Sequence, residues 1–194
     1  MRFVFTSKGI EDERGFELVA KALHKEGDKS GKTIFLLPPP ERDSVKEKLF
    51  QAAISLGFKE SDITVFSECV ELKECYDYVY ITAGNTFEIL QYMRDNSLCE
   101  PIRNWVLQGA TYIGASAGAL IAGRDIEFAY DLRDKNFIGM TEYAGLDLLD
   151  GGVVVPHRNR KQLGTFLELC SPELVARYKT IYCVSDERSL LLEI

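Results

Sequence analysis

Short runs rich in β-branched and aromatic residues alternate along this chain with longer stretches whose apolar residues recur at helical spacing. That alternation leaves few folds open, because strands joined by crossover helices lie parallel in a sheet and need cover on both faces. Candidate strands are Arg2 to Thr6, Thr33 to Leu37, Ile63 to Phe66, Tyr78 to Ile81, Thr111 to Gly114, Val153 to Val155, Thr180 to Val184 and Leu190 to Glu193. Many are apolar throughout, as expected of strands buried on both sides. Between them, Glu11 to Lys25 places Phe16, Val19, Ala20 and Leu23 on one stripe and stops at Gly27. Ser44 to Leu56 does the same with Val45, Leu49, Ala52, Ala53 and Leu56, and stops at Gly57. Shorter helices fit Thr86 to Met93, Ile102 to Leu107, Ala117 to Ile121 and Gln162 to Leu169. The expected fold is α/β, with three layers and a mostly parallel sheet carrying helices on both faces.

Pro38, Pro39 and Pro40 fall between a strand and a helix and fit a rigid connection. The stretch 124–149 has no clear period and carries Asp125, Asp131, Arg133 and Asp134. It is expected to form loops over one end of the sheet, where folds of this kind bind ligands.

With 194 residues, 46% of them hydrophobic, the chain fits one globular domain spanning 1–194. At that size folding removes roughly 70% of the unfolded surface from water, enough for a core without crosslinks. Thirty acidic residues against 23 basic ones give a net charge of -7, and no long Lys/Arg block interrupts it. Such a balance argues against nucleic acid as a partner. The apolar stretch near Met1 is too short for a secretion signal, and no run approaches the ~18 residues of a membrane helix, so no membrane partner and a cytoplasmic location are expected. Cys69, Cys75, Cys99, Cys170 and Cys183 show no C-x-x-C spacing. Reduced thiols are expected, with no metal site and no cofactor. Only two histidines exist, so any imidazole chemistry falls to His24 or His157, and His24 sits in what reads as the exposed last turn of a helix.

A strand leads into Gly114-x-Ser116-x-Gly118 and a helix of small residues follows. This is the pattern of a nucleophile elbow, in which a tight turn presents the serine hydroxyl at the sheet edge. A serine hydroxyl needs a base, and His157 follows the strand Val153 to Val155 at the same predicted edge. The base needs an acid to set its tautomer. Two candidates stand: Glu187, with Asp186 beside it just past Thr180 to Val184, and Asp131 in the irregular stretch. Placement at a strand end favours Glu187. A second turn, Ile81-Thr82-Ala83-Gly84-Asn85-Thr86-Phe87, also joins a strand to a helix. The Gly84 amide could supply half of an oxyanion hole and the Ala117 amide the other half, although a plain turn capped by Asn85 or Thr86 accounts for the residues nearly as well.

Together, Ala-Gly-Asn-Thr-Phe at 83–87, Gly-Ala-Ser-Ala-Gly-Ala at 114–119, Pro156-His157 and Asp-Glu-Arg-Ser at 186–189 resemble the serine peptidase family of aspartyl dipeptidase (peptidase E) and cyanophycinase. The resemblance implies an α/β fold similar to class I glutaminase domains. It implies hydrolysis of a small peptide beside an aspartyl residue, with Ser116 as nucleophile, His157 as base, Glu187 as orienting acid and Asp131 as second choice. Gly84, Asn85 and Ala117 fall at the implied oxyanion and substrate positions, and Arg158 and Arg160 offer positive charge for an acidic side chain. Thr82-Ala83 stands where the family carries a glycine pair, and by the same resemblance the sequence, ending at Ile194, is expected to stop before the final strand usual in relatives. A monomer or small homo-oligomer is expected. The alternatives are a cyanophycin-type peptidase or esterase on the same triad, and a family member that binds an acidic ligand without chemistry.

Overall fold

A computed structural model describes residues 1–24, 27, 29–40 and 42–194. Its strands are β1 (Arg2–Thr6), β2 (Ile34–Leu37), β3 (Ile63–Val65), β4 (Tyr78–Ile81), β5 (Thr111–Ala115), β6 (Val153–Val155), β7 (Ile181–Cys183) and β8 (Leu190–Glu193). Six of them form a sheet in the order β3-β2-β4-β5-β1-β8, parallel except for β8, which pairs antiparallel with β1. The sequence predicts one sheet, yet among the described residues β6 and β7 form a separate two-stranded sheet, pairing with each other in parallel. Strand propensity marks a segment as extended but does not say which neighbour it will pair with.

Side chains alternate across the main sheet, and each face meets its own core. Phe3, Phe5, Phe35, Leu37, Val79, Ile81 and Tyr112 point to one face, where they pack on α3 (Thr86–Asp95), α4 (Cys99–Leu107) and α5 (Ala117–Ile121). Val4, Ile34, Leu36, Tyr78, Tyr80, Ile113 and Ala115 point to the other, under α1 (Glu13–Leu23) and α2 (Asp43–Ser55). This is the α/β architecture the apolar strands implied, with helices on both faces. Asp12 starts α1 by accepting from the amides of Arg14 and Gly15. The expected end of that helix at Lys25 lies outside the described residues.

Two helices begin two or three residues earlier than expected. Asn159 and Gln162 form a reciprocal capping box, so the helix expected from Gln162 begins at Arg160 and runs as α7 (Arg160–Leu169). The helix expected from Ile102 begins a turn earlier at Cys99. The irregular stretch holds one short helix, α6 (Phe128–Asp131), and an isolated bridge between Asp125 and Ala144. A further short helix, α8 (Pro172–Val175), is capped by Ser171.

Because β1, β4 and β5 run parallel, their carboxyl ends share one edge, with Thr6 opposite Ala115 and Ile81 opposite Gly114. The end of β1 also reaches the second sheet, since the Ser7 hydroxyl donates to Val184 O beyond β7. Among the described residues no helix is long and apolar enough to cross a membrane, and no three His, Cys, Asp or Glu side chains gather to hold a metal ion. All five cysteines are free thiols.

Candidate active site

Ser116 is the residue between β5 and α5, with φ of 47° and ψ of -102°, a backbone conformation rarely adopted by a residue with a side chain. Its glycine flanks make the turn possible. A Cβ on Gly114 would sit 2.7 Å from Gly118 O, and one on Gly118 would run into the carbonyl of Ile81. The turn is tied down on three sides: Ser116 N donates to Thr6 O at 2.9 Å, Gly118 N to Thr82 O at 3.2 Å, and the buried Tyr112 hydroxyl to Gly118 O at 2.7 Å. The strand ends on either side of β5 therefore hold the serine where the sheet edge opens.

His157 reaches that edge from β6. It too has a positive φ, 59°. Its Nε2 lies 2.9 Å from Ser116 Oγ, and its Nδ1 lies 2.7 Å from Asp186 Oδ1. An ionised carboxylate can only accept, so Nδ1 carries the proton and Nε2 is left to accept from the serine hydroxyl. The imidazole is 39% exposed and the Asp186 side chain 47%, which leaves the pair open to solvent on one side.

The carboxylate beside His157 is Asp186, not the expected Glu187. Glu187 turns away from His157, and both its carboxylate and its carbonyl oxygen accept from Arg14 Nη2 on α1, each at 3.1 Å. Asp186, its neighbour in the turn that follows β7, takes the place beside the imidazole. Asp131, the other candidate, ends α6 next to Cys170, whose thiol is pushed up to about 11 by burial and by that carboxylate. Neither expected acid contacts His157.

The remaining candidates divide by role. Asn85 caps α3, accepting from the amides of Phe87 and Glu88, while its amide nitrogen donates to Lys135 O at 2.9 Å. Its side chain is thus occupied at both ends by protein groups. Among the described residues, neither the Gly84 amide nor the Ala117 amide donates to a protein acceptor, and the two lie past the ends of neighbouring strands. Arg158 donates from Nη1 to His157 O at 2.8 Å and stacks over Phe166.

A cavity of about 790 Å³ opens on the Asp186 side of His157. Arg158, Arg160, Lys161 and Arg188 line it, against Asp186 and the Arg14-paired Glu187. Ser116 lies outside that lining. None of the four cations makes an ion pair among the described residues.

Residues 3–193 match the family model of peptidase family S51. The chain belongs to that family. An uncharacterized peptidase of Listeria monocytogenes is 26% identical over 179 residues, which are 86% of this chain and 85% of that protein. Peptidase E of Salmonella typhi is 31% identical over 108 residues, 56% of this chain. That match spans only 44% of the Salmonella protein's length. Two crystal structures share the fold. One, provisionally a peptidase E from Listeria monocytogenes EGD-e, covers 98% of this chain and 93% of its own with a TM-score of 0.70 at 24% identity. The other, a peptidase from an acI-B1 actinobacterium, covers 99% and 83% with a TM-score of 0.64 at 16% identity.

Proposed function

We propose that this S51 member is a serine-type hydrolase of small acidic peptides that works through an acyl-enzyme, with Ser116, His157 and Asp186 as its catalytic residues. One observation carries the reading: Ser116 Oγ, the two imidazole nitrogens and the Asp186 carboxylate follow one another at 2.9 and 2.7 Å. In that line His157 Nε2 takes the serine proton as Oγ attacks the peptide carbonyl, then returns it to the leaving amine. Asp186 keeps the proton on Nδ1 and offsets the charge of the imidazolium. The tetrahedral oxyanion finds its donors in the amides of Gly84 and Ala117, which have no protein acceptor of their own among the described residues. Water then repeats the attack on the acyl-enzyme by the same route.

The acidic preference draws on the four cations beside His157, whose charges are not paired with a carboxylate among the described residues and can meet an acidic side chain of the substrate. Together with the Peptidase E relatives, they favour a peptide with an aspartyl residue next to the scissile bond.

Hydrolysis of an aspartyl dipeptide library by wild type and Ser116→Ala, followed by mass spectrometry, tests this. The wild type should release the amino-terminal aspartate, and Ser116→Ala should lose turnover by about 10³-fold or more while keeping its unfolding transition. Equal turnover by the two proteins would exclude Ser116 as the nucleophile.

A further inference from the structure

Ser7 stands outside every motif, one residue past β1, and is 2% exposed. Its hydroxyl does two things at once. It accepts from the backbone N–H of His157 at 2.8 Å and donates to the carbonyl of Val184 at 2.8 Å, so a single buried oxygen joins the end of the main sheet to the ends of both strands of the second. His157 and Val184 are also bound to each other through Arg158 N, which donates to Val184 O at 3.1 Å, and Val184 N donates to Val155 O at 3.1 Å. The neighbouring Thr6 carbonyl receives Ser116 N.

We propose that Ser7 is a positioning residue that holds the His157 backbone in the left-handed conformation from which its imidazole meets Ser116. The inference rests on the catalytic reading above. His157 is not a glycine, and a φ of 59° persists in such a residue only where surrounding contacts over-determine it. The hydroxyl of Ser7 is the protein acceptor that its amide meets. Without that acceptor the backbone can relax toward negative φ, and a rotation there swings the ring away from a serine that is itself fixed by Thr6. A hydroxyl is the fitting group, because the position needs one acceptor and one donor on the same small atom. The two residues at the end of β1 thereby set the distance between nucleophile and base, one through its carbonyl and one through its side chain.

The test compares wild type, Ser7→Ala and Ser7→Thr by steady-state kinetics on the aspartyl dipeptide and by the imidazole nitrogen shifts of His157 in NMR spectra. With only His24 as the other histidine, assignment needs a single variant. Ser7→Ala should lower kcat at least tenfold with KM within twofold, and should move the His157 nitrogen shifts away from those of the ring bonded on both sides. Ser7→Thr, which keeps the hydroxyl, should restore kcat to within about threefold and return the shifts toward wild type. Unchanged nitrogen shifts in Ser7→Ala overturn the proposal, whether or not kcat falls, because a merely structural loss leaves the ring where it was. Should the alanine variant not fold, Ser7→Cys carries the same readouts. The NMR arm needs no turnover, so wild type inactive on peptides would defeat the catalytic reading while the positioning of His157 is still decided by the shifts.

Discussion

Asp186 and Glu187 are adjacent carboxylates with separate partners: one accepts from His157 Nδ1 at 2.7 Å and the other from Arg14 at 3.1 Å. Asparagine at 186 would place an amide against Nδ1 and favour the tautomer in which Nε2 bears the proton, so the serine loses its acceptor. Asp186→Asn should therefore lower kcat by about 10³- to 10⁴-fold with little change in KM, since the interaction strengthens only as the imidazolium forms. Glu187→Gln removes one exposed pairing and should cost less than about threefold in kcat. Steady-state kinetics on the two variants separate the roles, and a larger loss in Glu187→Gln would return the acid to that residue. That Ser116 and His157 meet at one sheet edge was legible in the sequence, because a glycine-flanked serine after a strand has few uses and only two histidines stand in the chain, one of them past a strand end. Which carboxylate stands beside the imidazole was not, since the choice between neighbours 186 and 187 depends on the direction each side chain takes beyond β7. Ser7 was not legible either, because its partners lie 150 and 177 positions away along the chain.

Elements are joined at their amino ends as well as at the edge that carries Ser116. Asp77, just before β4, accepts from the amide and hydroxyl of Thr33 at 2.9 and 3.1 Å and from Lys32 at 2.8 Å, clasping the start of β2. Burial pushes its carboxyl up, but the Lys32 ammonium and the two Thr33 donors outweigh it and hold the carboxyl below its ordinary value of 3.8. A depressed carboxylate stabilises the fold above the unfolded pKa and loses that contribution as pH falls through the folded one. Asp77→Asn should accordingly cost about 1–2 kcal/mol near neutral pH, discounted for the group's partial exposure. The difference from wild type should narrow as pH is lowered below the ordinary carboxylate value of 3.8 and the wild-type carboxyl protonates. Urea unfolding in the two pH ranges measures both, and a gap of the same size in each would mean that the charge contributes nothing. This clasp follows from nothing periodic in the sequence, whereas the strands themselves did: β2, β4 and β5 are apolar on both faces because helices cover both. The separation of β6 and β7 into a second sheet leaves no mark in the sequence for a related reason, as Val153 to Val155 is equally apolar in either sheet.

The whole molecule carries a net charge of -7, yet the cavity beside His157 is lined by four cations without ion-pair partners among the described residues. An anionic peptide thus meets two opposed fields. The general repulsion acts over the full width of the protein, while the cavity cations act across a few ångströms. Salt separates them by range, since the screening length is about 30 Å at 0.01 M, about 10 Å at 0.1 M and about 3 Å at 1 M. Raising salt to about 0.1 M should screen mainly the long-range repulsion and increase kcat/KM for an aspartyl dipeptide by a factor of roughly two or three. Raising it further toward 1 M should weaken the contacts inside the cavity and bring kcat/KM down again. The matching asparaginyl dipeptide, without the side-chain charge, should respond far less. Arg188→Gln combined with Lys161→Gln should remove the descending limb and leave the rise at low salt, because the distant charges are untouched. A monotonic fall from the lowest salt would mean that the cavity field already dominates outside the protein, and identical profiles for the two dipeptides would remove the cations from substrate recognition altogether.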